Sequence, residues 1–292
     1  MQSATTVARL SCDEPTARRL ADQLSEQLDP DDCASVAFET GAGSWQFEIY
    51  FRVPPDDAGV RALVTKISGP AQAAALRFET VAPADWVAAS LANLTPVEAG
   101  RFIVHGAHDR ARVPSNRIGI EIEAALAFGT GHHGTTRGCL LALDTLAKRR
   151  RMRNVLDVGT GSGVLAIAAA RRFHCKVAAT DIDAQAVVVA RANARLNRAA
   201  PFISFERASG CRVHFVRECA PYDLIFANIL LPVLRRMAVP LAALAARGGH
   251  VVLSGLLTSQ VNAALELYQA QGLRLDRRIV REGWGTLVMR KR

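Results

Sequence analysis

The 292-residue sequence has six cysteines, at 12, 33, 139, 175, 211 and 219, but no Cys-x-x-Cys pair. That absence speaks against a zinc site or a dithiol motif. In a chain of this size, cysteines so scattered are expected to be reduced, packed thiols rather than a disulfide framework. Long apolar runs are also missing: 223–234 and 249–257 are too short or too broken to span a bilayer. The opening "MQSATTVARLSCDEP" has no basic stretch followed by an apolar core, so no secretory signal is expected and the cytoplasm is the expected compartment. There is no internal repeat and no low-complexity segment. Lysine is scarce, since 32 of the 36 basic residues are arginine, as a GC-rich genome favours.

Half the residues are apolar and 22% are charged, which suits a globular chain with a substantial core. The length allows one large domain or two smaller ones. The net charge of +9 is unevenly spread. Residues 1–80 carry 7 Lys and Arg against 12 Asp and Glu, a net of −5; residues 81–292 carry 29 against 15, a net of +14. The acidic part suits a basic partner. The basic part suits an anionic ligand or RNA, although its arginines are spread along the sequence.

The first eighty residues alternate between strand and helix signals. "TTVARLSC" predicts a strand and "EPTARRLADQLSEQL" an amphipathic helix with Pro15 in its first turn. "ASVAFET" and "SWQFEIYFRV" flank the hairpin signal "GAG"; "PDDAGVRALVTKIS" predicts a second helix and "ALRFETV" a last strand. That order is the split β-α-β-β-α-β pattern of ferredoxin-like domains, here assigned to residues 1–82. A helical linker bounded by Pro83 and Pro96 is expected over 83–97. Residues 98–292 form the second expected domain, opening on short strands near 101–105 and 117–122. From 153 onward strands and helices alternate, as a doubly wound parallel sheet requires. The last twenty residues break that rule, with two strands around Glu282-Gly283 predicting an antiparallel hairpin.

Two glycine-rich turns run into helices: "LAFGTGHHGTTRGCLLAL" at 126–143 and "VLDVGTGSGVLAIAAARR" at 155–172. The second sits where the first parallel strand ends. Its glycines allow a sharp turn and a close backbone approach, and the helix start offers free N–H groups. Such a turn serves a dinucleotide or S-adenosylmethionine. Gly-x-Gly-x-x-Gly fails when started at Gly159 and passes in its weaker form from Gly161, with Ala166 in the last slot. Asp157 places a carboxylate before the first glycine, where an ammonium or the loop's own N–H groups meet it. Asp181, 22 residues beyond Gly159, ends the next strand, where an acid accepts both ribose hydroxyls. Asn228 ends a later parallel strand, at the carboxyl edge where such sheets bind ligands. Helix capping is the ordinary alternative for Asp181 and Asp183, and a turn or cap role for Asn228.

These stretches, with "ATDIDAQAVVVARANARLN" and "FANILLPVL", resemble the motifs of class I S-adenosylmethionine-dependent methyltransferases. "LAFGTGHHGTT", "NIL" at 228–230, "LSGLLTSQ" at 253–260 and "DWVAASLANLTPVEAGRFIV" at 85–104 are similar to the signatures of one family among them, the ribosomal protein L11 methyltransferases of the PrmA type. The resemblance implies a Rossmann-like sheet, S-adenosylmethionine as cofactor and a large-subunit ribosomal protein as partner, methylated on lysine side chains and an N-terminal amine. It implies that Thr136, the second threonine of the first motif, contacts the cofactor, with Gly159, Gly161, Asp181 and Asn228 around it. The loop at 128–136 then covers the ligand for which the second turn is the floor, with Thr135 or Thr136 capping the following helix. His132, Gly134 (in place of Pro) and Glu123-Ala-Ala (in place of Asp-Pro-Gly) depart from the family pattern.

Neighbouring histidines do not converge on one ion without contorting the backbone, and no acid or Cys stands at useful spacing, so His132 and His133 do not predict a metal site. Methyl transfer to nitrogen needs a neutral amine aligned with the methyl group. Freeing a lysine of its proton at pH 7 costs about 4.6 kcal/mol, much of which desolvation beside a positive charge recovers. No paired carboxylates and no His–acid arrangement predict a dedicated base. Asn228 is the candidate that positions the amine. Three further readings compete: a methyltransferase acting on another protein or on RNA, an NAD(P)-dependent oxidoreductase using Gly161, Gly163 and Ala166, and a non-catalytic ribosome-binding protein. RNA contact is compatible with the basic half but not required by it.

Overall fold

Asp13 sets where the first helix starts: its side chain accepts the Thr16 N–H at 2.8 Å, and Pro15 occupies the first turn. The computed structural model describes residues 5–28, 33–41, 44–51, 53–81, 96–122, 134–211 and 213–292. The chain divides into two compact units, residues 1–89 and 90–292.

The first unit runs β1 (Thr5–Cys12), α1 (Glu14–Gln27), β2 (Cys33–Gly41), β3 (Ser44–Phe51), α2 (Asp57–Ser68), α3 (Pro70–Ala75) and β4 (Arg77–Val81). Its sheet is antiparallel, in the order β2-β3-β1-β4. This is the split pattern that the alternation predicts, with one addition, the short helix α3. Leu10, Phe47 and Ile49 on the strands pack with Leu20, Leu24, Val60 and Val64 on the helices.

The second unit opens with β5 (Val97–Ala99), β6 (Phe102–His105) and β7 (Ile118–Glu121), a separate three-stranded sheet. Of the linker helix expected over 83–97, residues 83–95 lie outside the described ones. At its end Val97 starts a strand instead of closing a helix, because it pairs with Val104. Then follow α4 (Gly134–Arg149), β8 (Asn154–Val158), α5 (Val164–Phe173), β9 (Lys176–Asp181), α6 (Ala184–Leu196), β10 (Ile203–Arg207), α7 (His214–Glu218), β11 (Tyr222–Asn228), α8 (Leu231–Leu244), β12 (Ala245–Leu257), α9 (Val261–Gln269), β13 (Leu273–Arg281) and β14 (Trp284–Lys291).

Seven of these strands form one sheet in the order β10-β9-β8-β11-β12-β14-β13. The first five are parallel, and β14 is antiparallel to both of its neighbours. Side chains alternate between faces as a strand requires: Leu224 and Phe226 join one apolar layer with α4 and α5, Ile225 and Ala227 the other with α8 and α9. Glu282 and Gly283 both have positive φ, 53° and 79°, the two-residue turn whose twist suits a hairpin. Among the described residues no helix is long and apolar enough to cross a membrane.

Gly138 lets α4 lie close on this sheet. A Cβ there would stand 2.2 Å from Thr286 Oγ1 on β14. Alanine is the better helix former by about 1 kcal/mol, but overpacking costs about 1–3 kcal/mol, and displacing Thr286 also breaks its hydroxyl pairing with Ser254. Gly138→Ala is therefore expected to destabilise by about 1–2 kcal/mol in urea unfolding, and adding Thr286→Ala, which removes the obstructing hydroxyl, to restore most of it. A single variant as stable as the parent would refute the close approach.

Candidate active site

Between β8 and α5 the backbone turns through three glycines with positive φ: Gly159 at 71°, Gly161 at 54° and Gly163 at 83°. Side chains other than glycine's rarely adopt these values. Space also demands glycine at the first, where a Cβ would lie 2.4 Å from Ile229 Cγ2. The turn is stitched to the next strand, with the N–H groups of Gly159 and Thr160 both donating to the Thr180 carbonyl at 2.9 Å.

Asp157 and Asp181 hold this turn from below and from the side. Asp157 is buried; its Oδ2 accepts the Thr160 hydroxyl at 2.7 Å and the Ala166 N–H at 3.1 Å. Its Oδ1 is buried without a partner. Of the two roles open to Asp157 from the sequence, it serves the loop's own donors and keeps one oxygen unsatisfied. Burial pushes its pKa up to about 6, with Asp181 adding to the effect against the two hydrogen bonds. Asp181, half-buried, accepts the Gly161 N–H at 2.8 Å on Oδ2 and the Asp183 N–H at 3.0 Å on Oδ1. Helix capping falls to Asp183, which accepts from Gln185 N–H at 2.9 Å.

The raised pKa of Asp157 has a stability consequence. Between pH 4 and 6 the folded chain keeps a proton that the unfolded chain has released, so stability falls as pH rises through this window. Two pH units correspond to about 3 kcal/mol. Asp157→Asn keeps the acceptor facing Thr160 and Ala166 and cannot ionise. The variant is expected to match the parent near pH 4 and to exceed it in thermal stability at pH 7, without cofactor. A difference independent of pH would remove this assignment.

The structure brings Thr136 and Asn228 together. Asn228 Nδ2 points to Thr136 Oγ1 at 3.5 Å, and among the described residues its Oδ1 makes no hydrogen bond. Thr136 is fully buried. The expectation that Thr135 or Thr136 caps α4 is corrected: Gly134 is already helical, so both threonines lie within the helix. At Gly134 a Cβ would stand 2.6 Å from the Arg281 carbonyl oxygen. The proline of the family pattern would meet the hairpin there, so this chain's glycine matches its own hairpin position. Residues 123–133, with Gly129, Gly131, His132 and His133, lie outside the described residues.

Four polar residues escaped the sequence reading. Ser254, beside Asn228 in the sheet register, donates to the Thr135 carbonyl at 3.2 Å and pairs with Thr286 Oγ1 at 2.9 Å. Asn193 Nδ2 donates to the Ser162 carbonyl inside the glycine turn at 2.9 Å. Asn197 accepts the Glu121 N–H at 2.8 Å and donates to the Glu121 carbonyl at 2.6 Å and the Asn193 carbonyl at 2.8 Å. The available signal was a pair of asparagines four residues apart, both buried on the inner face of α6 or just past its end.

A parallel sheet with one antiparallel strand in this order, a three-glycine turn after its central strand and an acid ending the neighbouring strand define a class I S-adenosylmethionine-dependent methyltransferase. Comparison with known proteins agrees and narrows the class. The family model described as ribosomal protein L11 methyltransferase (PrmA) matches residues 16–292. A ribosomal protein L11 methyltransferase of Rhodopseudomonas palustris (strain BisB5) is 50% identical over 279 residues, covering 96% of this chain and 95% of its own. That of Bradyrhizobium diazoefficiens is 50% identical over 278 residues, covering 95% and 94%. The crystal structure of a ribosomal protein L11 methylase from Lactobacillus delbrueckii subsp. bulgaricus superposes with a TM-score of 0.61 at 28% identity, covering 68% of this chain and 100% of that one. The chain belongs to the ribosomal protein L11 methyltransferase family.

Proposed function

We propose that this chain transfers methyl groups from S-adenosylmethionine to amine nitrogens of ribosomal protein L11, on lysine side chains and the N-terminal amine. The observation that carries this reading is half-identity, over nearly the whole chain, with relatives named for that activity. The residues at the turn fit the cofactor. The left-handed glycines bare the backbone, and Asp157 keeps a buried oxygen unpaired beside them. Gly159 and Gly161 line its approach. Asp181 accepts the ribose hydroxyls with the lone pairs left over from Gly161 and Asp183, and the exposed side chain of Ile182 offers apolar surface next to it. Thr136 and Asn228 stand on the other side. The cofactor supplies a methyl group on a positive sulfonium; the chain aligns the neutral amine and excludes water. Asn228 Oδ1 accepts a hydrogen from that amine and orients its lone pair.

The acidic first domain recognises the substrate, and the second domain carries the chemistry. A ribosomal substrate goes with a cytoplasmic location. The test is transfer of radiolabelled methyl groups by the full-length enzyme to ribosomal protein L11 and, separately, to ribosomal RNA. Label on the protein amines alone is the expected result; label on RNA alone would replace this reading with the RNA methyltransferase. Initial rates on the protein should fall with added salt, because screening shortens the reach of the first domain's charges to about 8 Å at physiological ionic strength.

A further inference from the structure

Far from the glycine turn, at the opposite ends of the parallel strands, the second unit gathers arginines that the methyl-transfer reading does not use. Arg274 on β13 stands directly opposite Arg290 on β14, and Arg290 directly opposite His250 on β12. Like charges facing each other across an antiparallel pair destabilise it. The guanidinium groups of Arg290 and Arg150 both reach Gly248, where a Cβ would lie 3.6 Å from one and 3.9 Å from the other. Arg149 extends the group to Asp276, at 3.7 Å. Residues 148–153 hold five basic side chains and no acid, and residues 271–292 hold seven against two acids.

The acids present are already committed. Asp223 is engaged by Arg150 at 2.8 Å and by the Arg153 N–H, and Asp276 by Arg149. Arg274, Arg277 and Arg290 are exposed and make no ion pair among the described residues. His250 is buried with Nδ1 unpartnered. Burial holds it neutral, and Arg290, Arg150 and Arg149 push the same way against Asp276. The strand β13 is the sheet's edge and pairs only with β14. Its Arg274 and Arg277 are exposed and continue the group for about 10 Å along the strand at about 3.3 Å per residue, whereas Arg278 turns to Asn262 on α9 and Arg281 reaches the opposite end, beside Gly134. Charges that guard an edge strand against aggregation account for β13 by itself. They do not account for Arg149–Arg153 or Arg290, which lie off that edge. A cluster drawn from three segments and richer in cations than its acids neutralise suits a polyanion.

We propose that this face, made by the start of β13, the end of β14 and the residues following α4, binds the sugar-phosphate backbone of an RNA while methyl transfer proceeds at the other edge of the sheet. The charge pattern carries the proposal; the ribosomal substrate explains only why RNA would be near. Because the face lies away from the glycine turn, RNA and cofactor are bound together without competition.

The test is fluorescence anisotropy of a labelled 30-nucleotide RNA hairpin with the full-length protein, from 50 to 300 mM KCl. The parent is expected to bind, with affinity falling steeply with salt. Arg274→Gln/Arg277→Gln/Arg290→Gln should bind at least tenfold more weakly, with a log–log salt slope shallower by about 2–3, one phosphate contact per charge removed. Its S-adenosylmethionine affinity and methyl transfer to free ribosomal protein L11, measured on the same preparation, should match the parent. Should that variant fold poorly, Arg274→Gln/Arg277→Gln, both on the exposed edge strand, should still weaken RNA binding at least threefold. Unchanged RNA affinity in the folded variants, no binding by the parent at 50 mM KCl, or displacement of the RNA by polyglutamate at equal charge concentration would each overturn the proposal, the last in favour of an acidic protein. Loss of methyl transfer by the parent with RNA binding intact would count against the substrate reading alone.

Discussion

Asp181→Ala is expected to weaken S-adenosylmethionine binding a hundredfold or more, about 3 kcal/mol. The sequence alone offers a ligand acid or, as the ordinary alternative, a helix cap. The structure gives it a second duty, since both its oxygens hold backbone N–H groups, Gly161 in the glycine turn and Asp183 beyond the strand. A hydrogen bond to a charged group contributes about 1.5–3 kcal/mol, and the alanine variant loses those to the ligand together with the one that fixes Gly161. Part of the binding energy is then spent on ordering a loosened turn. Asp181→Asn keeps an acceptor without the charge and should fall between the two, near tenfold. Calorimetric titration of the folded variants measures both; parent-like affinity for Asp181→Ala would remove the residue from the site.

Asn228→Ala should lower kcat about 100- to 1000-fold, the range seen when one positioned dipole is removed from a reacting centre. Its effect on cofactor affinity should stay within tenfold, because the Thr136 contact, at 3.5 Å, is weak. Asn228→Asp is the sharper probe. It preserves lone pairs at the same place, but its charge favours the protonated amine, which has no lone pair to attack with. The aspartate variant is therefore expected to be no better than alanine at pH 7 and to recover partly as pH rises. If kcat for Asn228→Ala stays within threefold of the parent, the amine is positioned by some other group.

The larger elements were legible because periodicity and punctuation agreed. Strands such as "YDLIFAN" carry unbroken apolar runs since both faces are covered, and the Glu282-Gly283 turn marks its hairpin. β10 was not legible: it is an edge strand of five residues, of which only Ile203 is buried. The five-residue helix α7 is too short to show a period. In the site, the glycines and Asp181 stand out because each has a place relative to a strand end. Their supports do not. Ser254 and Thr286 meet only when β12 and β14 pair, and Asn197 meets Glu121 across 76 residues. Interactions between distant segments leave no local spacing to detect. The close approach of Gly134 to a carbonyl on the C-terminal hairpin is hidden for the same reason.

The Asn197 bridge bears on how such a protein changes over generations. Asn197 grips residue 121 through its N–H and its carbonyl, never through its side chain, and Asn193 passes that hold to Ser162. The anchor is thus addressed to the main chain. A substitution at 121 gives up the buried carboxylate's two-point pair with Arg110 but keeps this grip, proline excepted, because proline has no N–H to give. Sequence change at 121 can then proceed without loosening the floor of the site. The two asparagines carry that constraint, and the side chain at 121 answers only to Arg110.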